Sequence, residues 1–150
     1  MSRTTYKPKN TDMRDKFFLD TAFILALASP PDQFHDKAKA LSRKIRNENI
    51  PLVTTRAILV EIGDAMSSQR RRQAGVITLA SLESAENLEI VSSSDDLYAR
   101  AFDLFRSRPD KDWGMTDCIS FVVMEEKQIH GALTTDVHFQ QAGFTPLMRE

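Results

Sequence analysis

The sequence is short of cysteine, of net charge and of long apolar runs, and each shortage removes a class of protein. A single cysteine, Cys118, in 150 residues excludes an intramolecular disulfide framework and any cysteine-rich zinc site. No apolar stretch approaches the roughly 20 residues that a membrane-spanning helix requires. The opening, MSRTTYKPKNTDMRDK, lacks the apolar segment of a secretory signal. The expected location is therefore cytoplasmic. Lys and Arg number 20 against 21 Asp and Glu, a net charge of −1, which counts against a protein that coats nucleic acid by charge alone. It does not count against one that approaches a phosphodiester through metal ions, because the ions bring the positive charge. The chain shows no internal repeat, low-complexity tract or internal domain boundary.

What is present is an ordinary globular composition, 41% hydrophobic and 27% charged, on a chain long enough for one domain with a substantial core. Residues 1–15 are polar and without period, which reads as a flexible arm; residues 16–150 form the domain. KFFLD (16–20) reads as a short buried strand, and TAFILALAS (21–29) as a helix ended by Pro30 and Pro31. Phe34, Ala38, Leu41 and Ile45 recur at helical spacing opposite Lys37, Lys39, Arg43, Lys44 and Arg46. IPLVT (50–54) is a second strand, and Thr55 caps a helix through Met66. The basic QRRRQAG separates that helix from one running to about Ala85. LEIV (88–91) is a third strand. Ser94 caps a helix whose inward face is Leu97, Ala101, Leu104 and Phe105. TDCISFVVMEEK (116–127) suits either a buried helix or a strand. HGALTT (130–135) is a fourth strand, and FTPL (144–147) a fifth, marked as an edge by Pro146. Strand and helix thus alternate throughout, which predicts a parallel sheet with helices on both faces.

In such sheets ligands bind beyond the carboxyl ends of the strands, and that rule ranks the acids. Asp20 ends the first strand and Asp136 follows the fourth. Asp117 opens a helix after a loop. Glu61 lies two turns into the helix after the second strand, bordering the face of Ile58, Ile62 and Ala65. Carboxylates gathered at low dielectric repel one another unless a cation neutralises them. Oxygen ligands favour Mg²⁺ or Mn²⁺, and no pair of histidines has zinc-ligand spacing. An ion held this way polarises a phosphate and acidifies bound water, which makes phosphodiester hydrolysis the natural chemistry. Each acid taken alone also suits a turn, a cap or a solvated helix face.

FFLDTAFILALA, PLVTTRAILVEIGDAM, DKDWGMTDCISFVVMEE and HGALTTDVHFQQAGFTPL, in that order, resemble the successive motifs of PIN-domain ribonucleases, and most of all the VapC-type toxins of bacterial toxin–antitoxin pairs. The likeness spans about residues 16–147. It implies a three-layer α/β/α sandwich with a five-stranded parallel sheet, and a helix over 116–127. It puts the family's acids on Asp20, Glu61, Asp117 and Asp136, as catalytic and metal-binding residues. It also implies dependence on Mg²⁺ or Mn²⁺, RNA as substrate, a cognate antitoxin and homodimerisation.

Several residues stay open. Asp112 can add an outer ligand or remain a loop residue, and Thr21 and Thr116 can hydrogen-bond the acids or act as caps. Arg70, Arg71 and Arg72 can grip RNA phosphates or an acidic antitoxin segment, or form a solvated turn. Trp113 is expected to pack the loop over the site. His35, His130 and His138 have no evident partners and read as structural or surface groups. Cys118 reads as a small buried residue. Two other acidic α/β classes fit less well. A haloacid-dehalogenase-like phosphatase needs a second aspartate where Ala22 stands. A receiver domain finds an acid after the third strand in VSSSDD, but after the fifth strand the chain offers only MRE where a lysine is required. The remaining rival is an inert PIN fold that only binds RNA or protein.

Overall fold

FFL (17–19) and LVTT (52–55) carry aromatic, apolar and β-branched side chains on both faces, as in strands of a sheet covered on both sides. The computed structural model describes residues 15–150; the arm expected over 1–15 lies, but for Asp15, outside them. Five parallel strands, β1 (Phe17–Leu19), β2 (Leu52–Thr55), β3 (Leu88–Val91), β4 (Gly131–Leu133) and β5 (Thr145–Pro146), take the order β3-β2-β1-β4-β5. Register pairs Phe17 with Leu52 on one side and with Gly131 on the other, so β1 is the central strand.

Among the described residues, seven helices connect and cover them: α1 (Thr21–Ala28), α2 (His35–Asn47), α3 (Arg56–Ala65), α4 (Arg72–Ser84), α5 (Asp95–Ser107), α6 (Met115–Glu126) and α7 (Val137–Gln141). Parallel strands need right-handed crossovers. With this strand order, α1–α4 fall on one face and α5–α7 on the other. The packing agrees: α1 lies against α2 and α3, α3 against α4, α5 against α6, and α6 against α7. The result is the α/β/α sandwich expected from the alternation and the resemblance.

Phe18 of β1, Phe121 of α6 and Phe139 of α7 anchor the second face. Phe139 stacks edge-on to Phe121 at 5.0 Å and tilted to Phe18 at 6.2 Å, and both Phe18 and Phe139 are fully buried. β5 lies at the margin. Its Thr145 N–H donates inward to His130 O at 2.8 Å. The donorless Pro146 therefore falls where a backbone N–H would point out of the sheet. Gly143, at φ +95°, makes the turn into β5, a conformation that a side chain would strain.

The caps expected at Thr55 and Ser94 are present, whereas Thr116 lies inside α6, whose N-cap is Gly114. Thr55 Oγ1 accepts from Ile58 N at 3.2 Å and Ser94 Oγ from Leu97 N at 3.1 Å. Ser94→Ala is expected to lower stability by about 1 kcal/mol, read as an earlier urea midpoint with an unchanged slope.

The structure resolves the 116–127 segment as helix and departs from the sequence reading elsewhere. α7 lies between the fourth and fifth strands, where the sequence pattern assigns no element. α4 begins at Arg72, so the basic stretch straddles its first turn instead of preceding it. Phe105 is 44% exposed, because α5 packs on α6 through the narrower stripe of Leu97, Ala101 and Leu104.

Candidate metal centre

Strand order reverses at β1: the chain moves outward through β2 and β3, then returns to β1's other side with β4. That switch point opens a crevice at the carboxyl ends of β1 and β4, and both strands end in acid. Asp20 follows β1 and takes the N-cap position of α1. Asp136 follows β4 and caps α7, its Oδ1 accepting from His138 N at 2.8 Å. Asp117 lies in the first turn of α6, where its Oδ2 accepts from Gly114 N at 3.1 Å. The α6 N-terminus thus aims a carboxylate at the same crevice.

One hydroxyl ties the two strand ends. The buried Thr134 donates to Asp20 Oδ2 at 2.7 Å and accepts from Asp136 N at 3.0 Å. Behind it, Thr54 of β2 donates to Leu19 O at 2.8 Å, fixing the end of β1. On the other flank the Thr21 hydroxyl donates to Glu61 Oε1 at 2.5 Å. Glu61 is mostly exposed, and its inward lean is confined to that carboxylate. Asp117, Asp136 and His138 offer ligand atoms that all lie within 4.8 Å of one another. Asp20 and Glu61 stand beside that triad, close enough for their charges to act on each other, as those of Asp20 and Asp117 also do.

The electrostatics are those of an anionic pocket. Burial pushes the Asp20 carboxyl up to about 7; the hydrogen bonds from Thr134 and the Thr21 backbone pull the other way, while Glu61 and Asp117 add repulsion. Burial, and then the charge of Asp136, also raise Asp117, against the pull of Gly114 N–H and His138. His138 Nδ1 is buried and makes no hydrogen bond. It lies 3.4 Å from both Asp117 Oδ2 and Asp136 Oδ1, without hydrogen-bond geometry to either. A buried carboxylate opposed by its neighbours, converging acids and an unpartnered ring nitrogen together fit a bound divalent cation.

The sequence reading missed two participants. In the sequence Thr134 reads only as a strand residue, and the structure sets it just beyond β4. His138 shows no partner in the sequence, because one neighbouring acid lies on α6 and the other two residues away at the start of a helix too short to show a period. The cue available was an acid two residues before a histidine at a helix start. Other open residues resolve more plainly. Asp112 stays exposed in its loop, and Arg70 and Arg71 of the turn and Arg72 at the start of α4 are exposed too. Trp113 does not lid the site: it is buried edge-on to Phe121 at 5.1 Å, and its Nε1 donates to Gln141 at 3.0 Å. His35 Nδ1 meets Ala26 O at 2.8 Å, joining α2 to α1, His130 is exposed, and Cys118 is a buried free thiol.

A five-stranded parallel sheet in this order, with acids gathered where the order reverses, defines a class. The PIN domain family matches residues 17–145, and the chain belongs to that family. A particular relative stands out. The 23S rRNA-specific endonuclease VapC20 of Mycobacterium tuberculosis (strain CDC 1551 / Oshkosh) is 28% identical over 134 residues, covering 89% of this chain and 98% of that protein. The same protein from strain ATCC 25618 / H37Rv gives the same figures. The crystal structure of M. tuberculosis VapC20, described as a sarcin–ricin loop cleaving toxin, superposes with a TM-score of 0.76 at 24% identity, covering 87% of this chain and 98% of that one. At that identity the superposition shows the shared fold.

Proposed function

We propose that this chain is a divalent-metal-dependent ribonuclease, the toxin of a toxin–antitoxin pair, hydrolysing RNA phosphodiester bonds at the crevice between β1 and β4. The observation that carries the reading is the convergence of Asp117, Asp136 and His138 within 4.8 Å beside the buried Asp20, in a chain of the PIN family.

Asp117 and Asp136, with Asp20, would hold one or two Mg²⁺ or Mn²⁺ ions. When bound, the ion polarises the scissile phosphate and acidifies water. Glu61, fixed by the Thr21 hydroxyl, orients the attacking water and takes up its proton. Attack in line with the leaving oxygen gives a 5′-phosphate and a 3′-hydroxyl. Thr134 holds Asp20 and Asp136 in fixed relation, so the ligands need little rearrangement when substrate arrives. With a net charge of −1, the protein has little positive field of its own, and neutralisation of the phosphate falls to the metal. The partners that fit this reading are RNA, a cognate antitoxin and a second copy of the chain. Among the described residues no helix is long and apolar enough to cross a membrane.

The test is incubation of the purified protein with tRNA, mRNA fragments and rRNA containing the sarcin–ricin loop, with and without Mn²⁺, followed by mapping of the ends. Ion-dependent cuts bearing 5′-phosphates are expected. Every RNA surviving intact with Mn²⁺ and with Mg²⁺ would overturn the reading.

A further inference from the structure

We propose that His138 Nδ1 is itself a ligand of the divalent ion, making the centre a mixed nitrogen–oxygen site of Asp117, Asp136 and His138 that prefers Mn²⁺ to Mg²⁺. The inference rests on the metal-centre reading above and deepens it.

Three features carry it. First, the position of the ring is built, not incidental. Asp136 Oδ1 accepts from the backbone N–H of His138 at 2.8 Å, which fixes the first turn of α7. Phe139, fully buried next to it, locks that turn onto the sheet. Second, Nδ1 is withdrawn from solvent and has no hydrogen-bond partner. A ring nitrogen in that state has lost its water without replacement, and coordination to an ion removes the deficit. Third, Nδ1 is equidistant, at 3.4 Å, from one oxygen of each acid. Neighbouring ligands around an ion with bonds of about 2.1 Å stand about 3 Å apart, so small rotations of three side chains complete the set.

The consequence is selectivity. Mg²⁺ takes oxygen ligands and holds its waters tightly. An imidazole nitrogen adds more to the binding of first-row transition ions. Asp20 stands beside the triad as a further anionic ligand, direct or through water, and Glu61 remains free to act on the attacking water.

The experiment is pulsed electron paramagnetic resonance of the Mn²⁺-loaded full chain, grown with ¹⁴N- or ¹⁵N-histidine, alongside Mn²⁺ and Mg²⁺ calorimetry. His138→Asn is the chosen variant, because its amide can place an oxygen near the former Nδ1. The wild type is expected to show nuclear modulation that changes with the histidine isotope. In His138→Asn that modulation disappears and Mn²⁺ affinity falls about 10-fold or more, while Mg²⁺ affinity changes by less than about 3-fold.

Mn²⁺-dependent cleavage without histidine modulation would overturn the inference and leave the ribonuclease reading standing. So would an unchanged Mn²⁺/Mg²⁺ ratio in the variant. A wild type that binds no Mn²⁺ and cuts no RNA would sink both. Should the variant fail to fold, the isotope effect in the wild type decides alone. The chain has 3 histidines; His35 is engaged with Ala26 and His130 is exposed.

Discussion

Asp20→Asn is expected to lower RNA cleavage by about 10³-fold or more while making the metal-free protein more stable at pH 8. On the proposed function, the loss of activity follows from removing an anion that would hold the metal, since such an ion's stabilisation of the transition state is worth several kcal/mol. The gain in stability follows from the carboxyl's displacement from its ordinary 3.8 to about 7. Below about pH 3.8 the group is protonated in folded and unfolded chains alike, and it contributes nothing. Between about 3.8 and about 7 the unfolded chain releases the proton and the folded chain keeps it, so stability falls as pH rises. Above about 7 the folded state holds a buried anion and the full penalty applies, at most about 4 kcal/mol.

Asparagine escapes that penalty but asks the Thr134 hydroxyl to reorient. The net gain is therefore expected nearer 1–2 kcal/mol, or about 2–8 °C in melting temperature. At pH 4 the two proteins should melt nearly together. Adding Mn²⁺ should raise the wild type and leave the variant almost unmoved. Calorimetric melts at pH 4 and pH 8, with and without Mn²⁺, check all three. Equal melting at pH 8 without metal would refute the strained-carboxylate account.

Phe139→Ala is expected to cost about 3–5 kcal/mol, a large share of the roughly 5–15 kcal/mol that holds a domain of this size together. The ring is fully buried and contacts Phe18 of the central strand and Phe121 of α6, so its removal leaves a cavity between sheet and helix. The damage also reaches the site. α7 spans only Val137–Gln141, and Phe139 is its one buried residue. A helix that short does not hold without tertiary contacts. Losing the anchor loosens the turn that positions Asp136 and His138, so Mn²⁺ binding should weaken with stability. Ser94→Ala, on a helix away from the crevice, should lower stability without touching Mn²⁺ affinity. Urea unfolding paired with Mn²⁺ titration separates the two. Undiminished Mn²⁺ affinity in folded Phe139→Ala would show that α7 does not support the centre.

The sheet was readable in the sequence because its strands are brief apolar runs set off by turn residues, and the long helices because their apolar residues keep a 3.6-residue period. Asp20 was readable as a site candidate because a charge directly after Phe17–Leu19 conflicts with burial unless something uses it. The role of His138 was hidden for the opposite reason. Its surroundings depend on a five-residue helix and on Asp117, 21 positions earlier, and no local pattern carries that pairing. Thr134 was hidden because a threonine ending a β-strand is unremarkable until its hydroxyl is seen bridging two acids. Phe105 misled because spacing defines a helix face but not how wide a neighbour covers it. Glu61 was half readable: its helix position was right, and Thr21 supplies the inward pull that a helical wheel does not contain.

The margins of the sheet bear on how copies of this chain can meet. At β5, Pro146 presents no donor to an incoming strand, and the backbone turns into a 3-10 segment at Leu147–Arg149. At the far margin, β3 carries Glu89, paired with Lys127 at 2.9 Å, so a docking strand meets charge. Among the described residues, fibril-like stacking by strand addition is thus closed on one side and opposed on the other.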